Sequence, residues 1–357
     1  MKKRILVLMM AAAMLLSACG AQGSSSGSAS GSAAGSAAGA GDGKTYTLTM
    51  TGQDAEGLPS TEAMHWIADE VESRTNGKVT IKVYPSNQLG DAKLQYEGIM
   101  DGSIDMLLGY LDPTYDIAFD LTTIPFLASN YDEMAYICSQ DSNCYKIFQD
   151  HALKTDMVFM GFFLNGVNGI FSVKPLGDYL NPSAKKDCLI RIANSVTYKL
   201  GVEALGYSTI TIPWSDTYTS LQTGIMDGMT GIPSYMVNQN FGDLAKYYVA
   251  MDMFMETNVV LMSPSTRDSL PADYVTTIQQ VVTEACENSI GGTKDNVDTG
   301  IEALKNRGVE ILPITDEQRA DVAKQVHDKI WPDLQNYFGE DLLSQAEADI
   351  TAAAAKG

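Results

Sequence analysis

Three histidines stand at 65, 151 and 327, too far apart in the chain to suggest a metal site or a His-based triad. No GxSxG or HExxH motif occurs, so two common signatures of nucleophilic and zinc hydrolysis are missing. Of the five cysteines, Cys138 and Cys144 enclose the polar segment Ser-Gln-Asp-Ser-Asn, where a local disulfide is one reading. Cys188 and Cys286 sit in apolar surroundings and read as buried thiols. One residue suggests binding chemistry. Arg191 lies inside an apolar strand pattern, Cys188-Leu-Ile-Arg-Ile192, and a guanidinium presents parallel donors that match a carboxylate in two places. Residue chemistry alone favours a structural arginine paired with an aspartate on a lobe surface, since a charge next to a strand is common. Met251-Asp-Met-Phe-Met255 reads as packing, and Asp316 to Asp328 as a solvated helix face.

The chain has 357 residues, with 24 Lys+Arg against 44 Asp+Glu, a formal charge of -20. Three of the basic residues fall within the first four, so the remainder is more acidic still. Such a surface repels phosphate backbones and anionic lipid, which disfavours nucleic-acid binding and charge-driven membrane binding. An anionic small ligand is still allowed, because a single buried arginine dominates its own surroundings.

The opening residues carry an address. Residues 1–18 are a basic start and a short apolar run, and Leu16-Ser17-Ala18-Cys19 resembles a bacterial lipobox. The expectation is a lipoprotein signal peptide over 1–18 and acylation of Cys19. Residues 19–43 then form a Gly/Ala/Ser tether that cannot bury enough surface to order itself. No later run is apolar enough to span a bilayer.

Elements alternate beyond the tether. Strands are expected over 46–50, 79–84, 104–108, 158–163, 188–192 and 209–212. Helices follow at 64–71, capped by Ser60 or Thr61, and at 94–100, 196–205 and 216–223. This is an α/β pattern. A helix from Ala272 to about Asn306 would be roughly 50 Å long, with Gly291-Gly292 a weak point inside it. Surface helices are expected over 316–330 and 342–355.

Four motifs in order carry a resemblance. They are Met64 through Asp91 (MHWIADEVESRTNGKVTIKVYPSNQLGD), Gly102-Ser-Ile-Asp-Met106 with Ile124-Pro-Phe-Leu127, Leu189-Ile-Arg-Ile-Ala-Asn194, and Leu221-Gln-Thr-Gly-Ile-Met-Asp-Gly228 preceded by Trp214-Ser-Asp-Thr-Tyr218. Over roughly residues 44–340 the chain resembles the extracytoplasmic solute-binding subunit of TRAP transporters, the DctP-like family. The resemblance implies a two-lobed, periplasmic-binding-protein-like α/β fold with a long helix crossing both lobes. Lobe I would be 44–165 plus about 254–290, and lobe II 166–253 plus about 291–357. It implies capture of an organic-acid anion between the lobes, no catalysis and no cofactor or metal. Delivery would be to a small and a large integral-membrane subunit driven by an ion gradient. The protein would be exported and lipid-anchored at the outer face of the cytoplasmic membrane, periplasmic or cell-surface. An ABC-type or sensor-coupled binding lipoprotein is the alternative, and an exported enzyme the reading from a different class.

The resemblance also assigns residues. Arg191 holds the ligand carboxylate. Asn194 donates to the ligand or caps the helix that follows. Trp214 stacks on the ligand or packs in the second lobe. Tyr110 and Gln53 face the cleft, with Asp54 beside Gln53. Some relatives carry a second arginine where this chain has Asn168, and the family's usual ligand asparagine aligns with Gly231. A simple C4-dicarboxylate is therefore not to be assumed, and Tyr235 is a candidate to fill the gap.

Overall fold

The computed structural model describes residues 44–355; the expected signal peptide, Cys19 and the tether lie outside the described residues. In chain order the elements are β1 (Tyr46–Gly52), α1 (Pro59–Arg74), β2 (Val79–Tyr84), α2 (Ala92–Asp101), β3 (Met106–Gly109), α3 (Tyr131–Ile137), α4 (Asn143–Lys154), β4 (Val158–Ser172), β5 (Leu189–Ile192), α5 (Val196–Ala204), β6 (Ser208–Thr211), α6 (Thr217–Gln222), β7 (Gly228–Met229), α7 (Ser234–Phe241), β8 (Tyr247–Met262), α8 (Pro264–Ser269), α9 (Ala272–Asn306), β9 (Glu310–Leu312) and α10 (Asp316–Ala354). One sheet of nine strands joins them in the order β2-β1-β3-β8-β4-β7-β5-β6, with β9 added beside β8.

Two long strands hold this sheet together. β4 and β8 are antiparallel partners of 15 and 16 residues, so each runs roughly 50 Å at about 3.3 Å per residue. At one end β8 pairs with β3, which is parallel to β1. At the other they meet β7 and, through it, the parallel pair β5 and β6. The β4–β8 register shifts three times between Phe159 and Ile170, which bends the ribbon between the two groups of parallel strands. Sequence patterning exposes only the first six residues of β4, 158–163, as a strand. The remainder is buried throughout and carries no alternation to read.

α9 is one uninterrupted helix of 35 residues. Its first half buries Ile278, Val281, Val282 and Ala285, at helical spacing, in the core that contains β1 and α1. Leu304, near its end, joins the separate core beneath α7 and β7. The expected weak point at Gly291-Gly292 does not break the helix. The two halves hold it by packing, and a glycine costs only about 1 kcal/mol.

The glycines of α9 make a paired prediction. A Cβ at Gly291 meets nothing within 4 Å, whereas one at Gly300 strikes the backbone nitrogen of Tyr235 at the start of α7. Gly291→Ala should stabilise the protein by about 0.5–1 kcal/mol through helix propensity. Gly300→Ala gains the same propensity but forces α7 away, and an overpacking cost of about 1–3 kcal/mol reverses the sign. Thermal unfolding of the two variants checks this: Tm should rise for the first and fall for the second.

Other expectations are corrected. Neither Ser60 nor Thr61 caps α1; the helix starts at Pro59 after Leu58, and Ser60 Oγ donates to Asp54 Oδ2 at 2.6 Å instead. α10 continues through Pro332 to a break at Gly339 (φ 76°), because its Val326, Ile330, Leu334 and Phe338 share one buried stripe across the proline. Cys138 and Cys144 form no disulfide. Both are buried free thiols, as are Cys188 and Cys286. Their segment is ordered without a bridge: Ser142 caps α4, and Asp349 of α10 accepts the backbone N–H groups of Asn143 and Cys144 at 2.9 and 2.7 Å. Burial pushes the Cys138 thiol up to about 12, so it carries almost no reactive thiolate at neutral pH. No described helix is long and apolar enough to cross a membrane.

Candidate ligand-binding site

The parallel strands point their carboxyl ends at one cavity of about 360 Å³. Ligands gather at such ends in open α/β sheets. Gln53 and Asp54 reach it from the end of β1, Tyr110 and Asp112 from the end of β3, Arg191 and Asn194 from β5 and the turn after it, and Trp214 from beyond β6. Asn165 of β4 and Glu256 of β8 enter from the long ribbon.

Arg191 lies between Ile210 of β6 and Met229 of β7 in the sheet, and only 4% of it is exposed. Its Nε donates to the Ile212 carbonyl at 2.8 Å, which fixes the plane of the guanidinium. Among the described residues its Nη nitrogens have no hydrogen-bond partner and no carboxylate pairs with it. The structural-pair reading is thereby set aside. Burial lowers its pKa to about 10, which leaves it charged at neutral pH. A buried, uncompensated cation is costly, and an anion in the cavity removes that cost.

The turn after β5 is held from two sides. Ser195, not Asn194, caps α5 by accepting from the Tyr198 N–H at 3.0 Å. Asp120 is fully buried and accepts from the N–H groups of Val196 and Thr197 at 2.9 and 3.2 Å. Asn194 is left exposed at the cavity, its amide 3.3 Å from Asp112 Oδ1. Trp214 lines the cavity and packs edge-to-face on Phe241, centroids 5.9 Å apart. The Tyr96 and Tyr110 hydroxyls and Asn165 Oδ1 are buried without a hydrogen-bond partner among the described residues, so three polar groups at the cavity lack protein satisfaction.

Two expected residues fall elsewhere. Asn168 is fully buried and is not part of the cavity wall; its amide donates to Glu256 Oε2 at 2.9 Å and to the Tyr198 hydroxyl at 3.0 Å. It stands behind Glu256 rather than against a ligand. Tyr235 lines a second, more open hollow beside α1 and α9, and its hydroxyl donates to the Asn165 carbonyl at 3.1 Å. It does not fill the space beside Gly231, which remains part of the cavity wall.

Glu256 is the residue that sequence reasoning missed. It is 8% exposed, and its Oε2 accepts from both Asn168 and the Tyr198 hydroxyl. The available signal was an acid, Glu256, between the apolar segments Met253 to Met255 and Val259 to Met262. Burial raises its pKa to about 7, against the opposing pull of those two hydrogen bonds. The folded protein therefore holds a proton on Glu256 that the unfolded chain has released, from about pH 4.5 to about pH 7. Stability should fall as pH rises through that window and level off above it. The amplitude is at most about 3 kcal/mol, at 1.36 kcal/mol per pKa unit. Asp252, raised to about 6, adds a similar slope of its own. Glu256→Gln should remove one share of the slope and leave the Asp252 share. Tm measured from pH 5 to pH 8 for both proteins checks this.

The comparisons agree with the geometry. The family model described as bacterial extracellular solute-binding protein, family 7 (DctP) matches residues 51–336. The chain belongs to this family. It is therefore a solute-binding protein rather than an enzyme. The C4-dicarboxylate-binding periplasmic protein DctP of Rhodobacter capsulatus is 26% identical over 266 residues, which cover 72% of this chain and 78% of the relative. A TRAP periplasmic solute-binding protein from Desulfovibrio salexigens, solved with bound orotic acid, superposes with a TM-score of 0.78 at 22% identity, covering 87% of this chain and all of the other. One from Sulfurospirillum deleyianum, with bound succinate, gives 0.76 at 23% identity, covering 85% of this chain and 99% of the other. The fold is the two-lobed one of these proteins.

Proposed function

We propose that this protein captures an organic-acid anion outside the cytoplasm and delivers it to the small and large membrane subunits of a TRAP transporter. Arg191 binds the carboxylate. Gln53, Tyr110, Asn194 and Trp214 complete recognition, and Asn168 acts indirectly through Glu256. The observation that carries this reading is the buried Arg191, whose Nη groups lack a protein partner in a cavity at the strand ends. The relatives that hold orotic acid and succinate support the same class of ligand. The lobes divide as the resemblance implies, 44–165 with about 254–290 against 166–253 with about 291–357, and close on the anion. The early apolar run and the Leu16-Ser17-Ala18-Cys19 sequence support export and attachment through a lipid on Cys19, with 19–43 as the tether.

A thermal-shift screen tests the ligand class. The panel spans mono-, di- and aromatic carboxylates, sugar acids, sulfonates and neutral sugars. An organic acid at 100 times its Kd should add about 2.7 kcal/mol of stability. Stabilisation by neutral solutes alone would refute the reading.

A further inference from the structure

The cavity carries more negative than positive side chains. Asp54, Asp91, Asp112 and Glu256 line it against Lys93 and Arg191. Lys93 belongs to the rim, with a side chain 76% exposed and reaching Glu97 at 3.6 Å. The buried part of the site thus has one cation, Arg191, and a buried carboxylate, Glu256, with no cation of its own among the described residues. Only Oε2 of Glu256 is engaged; Oε1 accepts no hydrogen bond among the described residues. Asp54 is similar, with Oδ2 taken by Ser60 and Oδ1 accepting none. Asn165 Oδ1 adds a further buried acceptor without a donor. Free acceptors and negative charge therefore face the same space as the arginine. A dicarboxylate would set its second anion in this acidic space, where Arg191 is the one arginine among the described lining residues.

We infer, resting on the reading of this cavity as an organic-acid site, that the ligand is zwitterionic: a carboxylate for Arg191 joined to an ammonium group held by Glu256 and Asp54. An ammonium brings three donors and the missing positive charge. A hydroxyl brings one donor and no charge. Asn168 and Tyr198 hold the Glu256 carboxylate in place for this contact.

The inference also fixes the sign of proton exchange. Glu256 faces Asp54 from the end of β1, Tyr110 from the end of β3, Arg191 from β5, Tyr198 from α5 and Tyr235 from α7. Burial raises its pKa to about 7. A bound ammonium holds it ionised, so binding near neutral pH releases protons. A hydroxyl releases almost none, and a second anion takes protons up.

Calorimetric titration of the full-length protein at pH 7, in two buffers of different ionisation heat, reads affinity and proton count together. The probes are three matched sets: aspartate, malate and succinate; glutamate, 2-hydroxyglutarate and glutarate; phenylalanine, phenyllactate and 3-phenylpropionate. In at least one set the amino member should bind tenfold or more tighter than its partners and release protons. Glu256→Gln should weaken that amino member tenfold or more and leave its hydroxy partner within threefold. Should that variant fail to fold, wild-type selectivity and proton count decide alone. Preference for the hydroxy or unsubstituted member in every set overturns the inference, and so does a panel in which no amino member binds. If such a non-amino acid binds and Arg191→Ala abolishes it, the organic-acid reading stands while the zwitterion inference falls. Binding that ignores Arg191→Ala removes both.

Discussion

Arg191→Ala should weaken binding of the organic anion by about 30- to 5,000-fold, the 2–5 kcal/mol typical of deleting one partner of a buried charge pair. The reason is local. The guanidinium is the buried cation of the cavity, and its Nε is already committed to the Ile212 carbonyl, so only its Nη pair is available to a ligand. Arg191→Lys should recover little, because an ammonium cannot bond the Ile212 carbonyl and grip a carboxylate in two places at once. The Arg191→Ala variant should fold, since the buried guanidinium makes no ion-pair contact among the described residues and its removal relieves a desolvation cost. Titration calorimetry on both variants, with circular dichroism to confirm folding, reads the result. Retained affinity in Arg191→Ala would show that the carboxylate sits elsewhere.

Asp120→Ala should cost about 2–4 kcal/mol of stability, the range for leaving buried polar groups unpaired. Asp120 reaches from the 3-10 helix Ile117–Thr123 to the first turn of α5, a contact spanning more than 70 residues of chain. It also accepts from Thr123 Oγ1 at 3.0 Å. Alanine strands the N–H groups of Val196 and Thr197 and removes a negative charge from a helix N-terminus. Burial, however, pushes the Asp120 carboxyl up, so its charge is only part of its value. Asp120→Asn, which keeps one acceptor, should lose less than half as much. Denaturant unfolding measures both. Affinity should fall as well in the alanine variant, because the freed turn is the one that presents Asn194 beside Arg191.

Sequence patterning revealed the parts of this fold that are locally encoded. β2 alternates between a tight turn at Asn76-Gly77 and Pro85, and its bounds emerge as expected. α9 has an unbroken apolar stripe, and its ends also match. β4 and β8 were harder. Their buried halves lack alternation, and their pairing joins residues far apart in the chain. The site divides in the same way. Arg191 was legible because it sits in a recognisable strand-to-turn motif. Glu256 was hidden, since its meaning depends on Asn168 and Tyr198, 88 and 58 residues away. Tyr235 was misplaced for the same reason. Sequence proximity to Gly231 says nothing about which side of the wall α7 presents. The disulfide expectation counted cysteines and spacing, and had no means of seeing that Asp349 already orders the turn between them.

The most direct test of the central claim is a crystal structure of the protein with an organic acid that stabilises it. The account predicts a carboxylate within about 3 Å of both Arg191 Nη nitrogens, in the cavity between Tyr110, Trp214 and Glu256. A ligand seated in that cavity with its carboxylate away from Arg191, or one bound in the hollow beside Trp66 and Ser289, would contradict it.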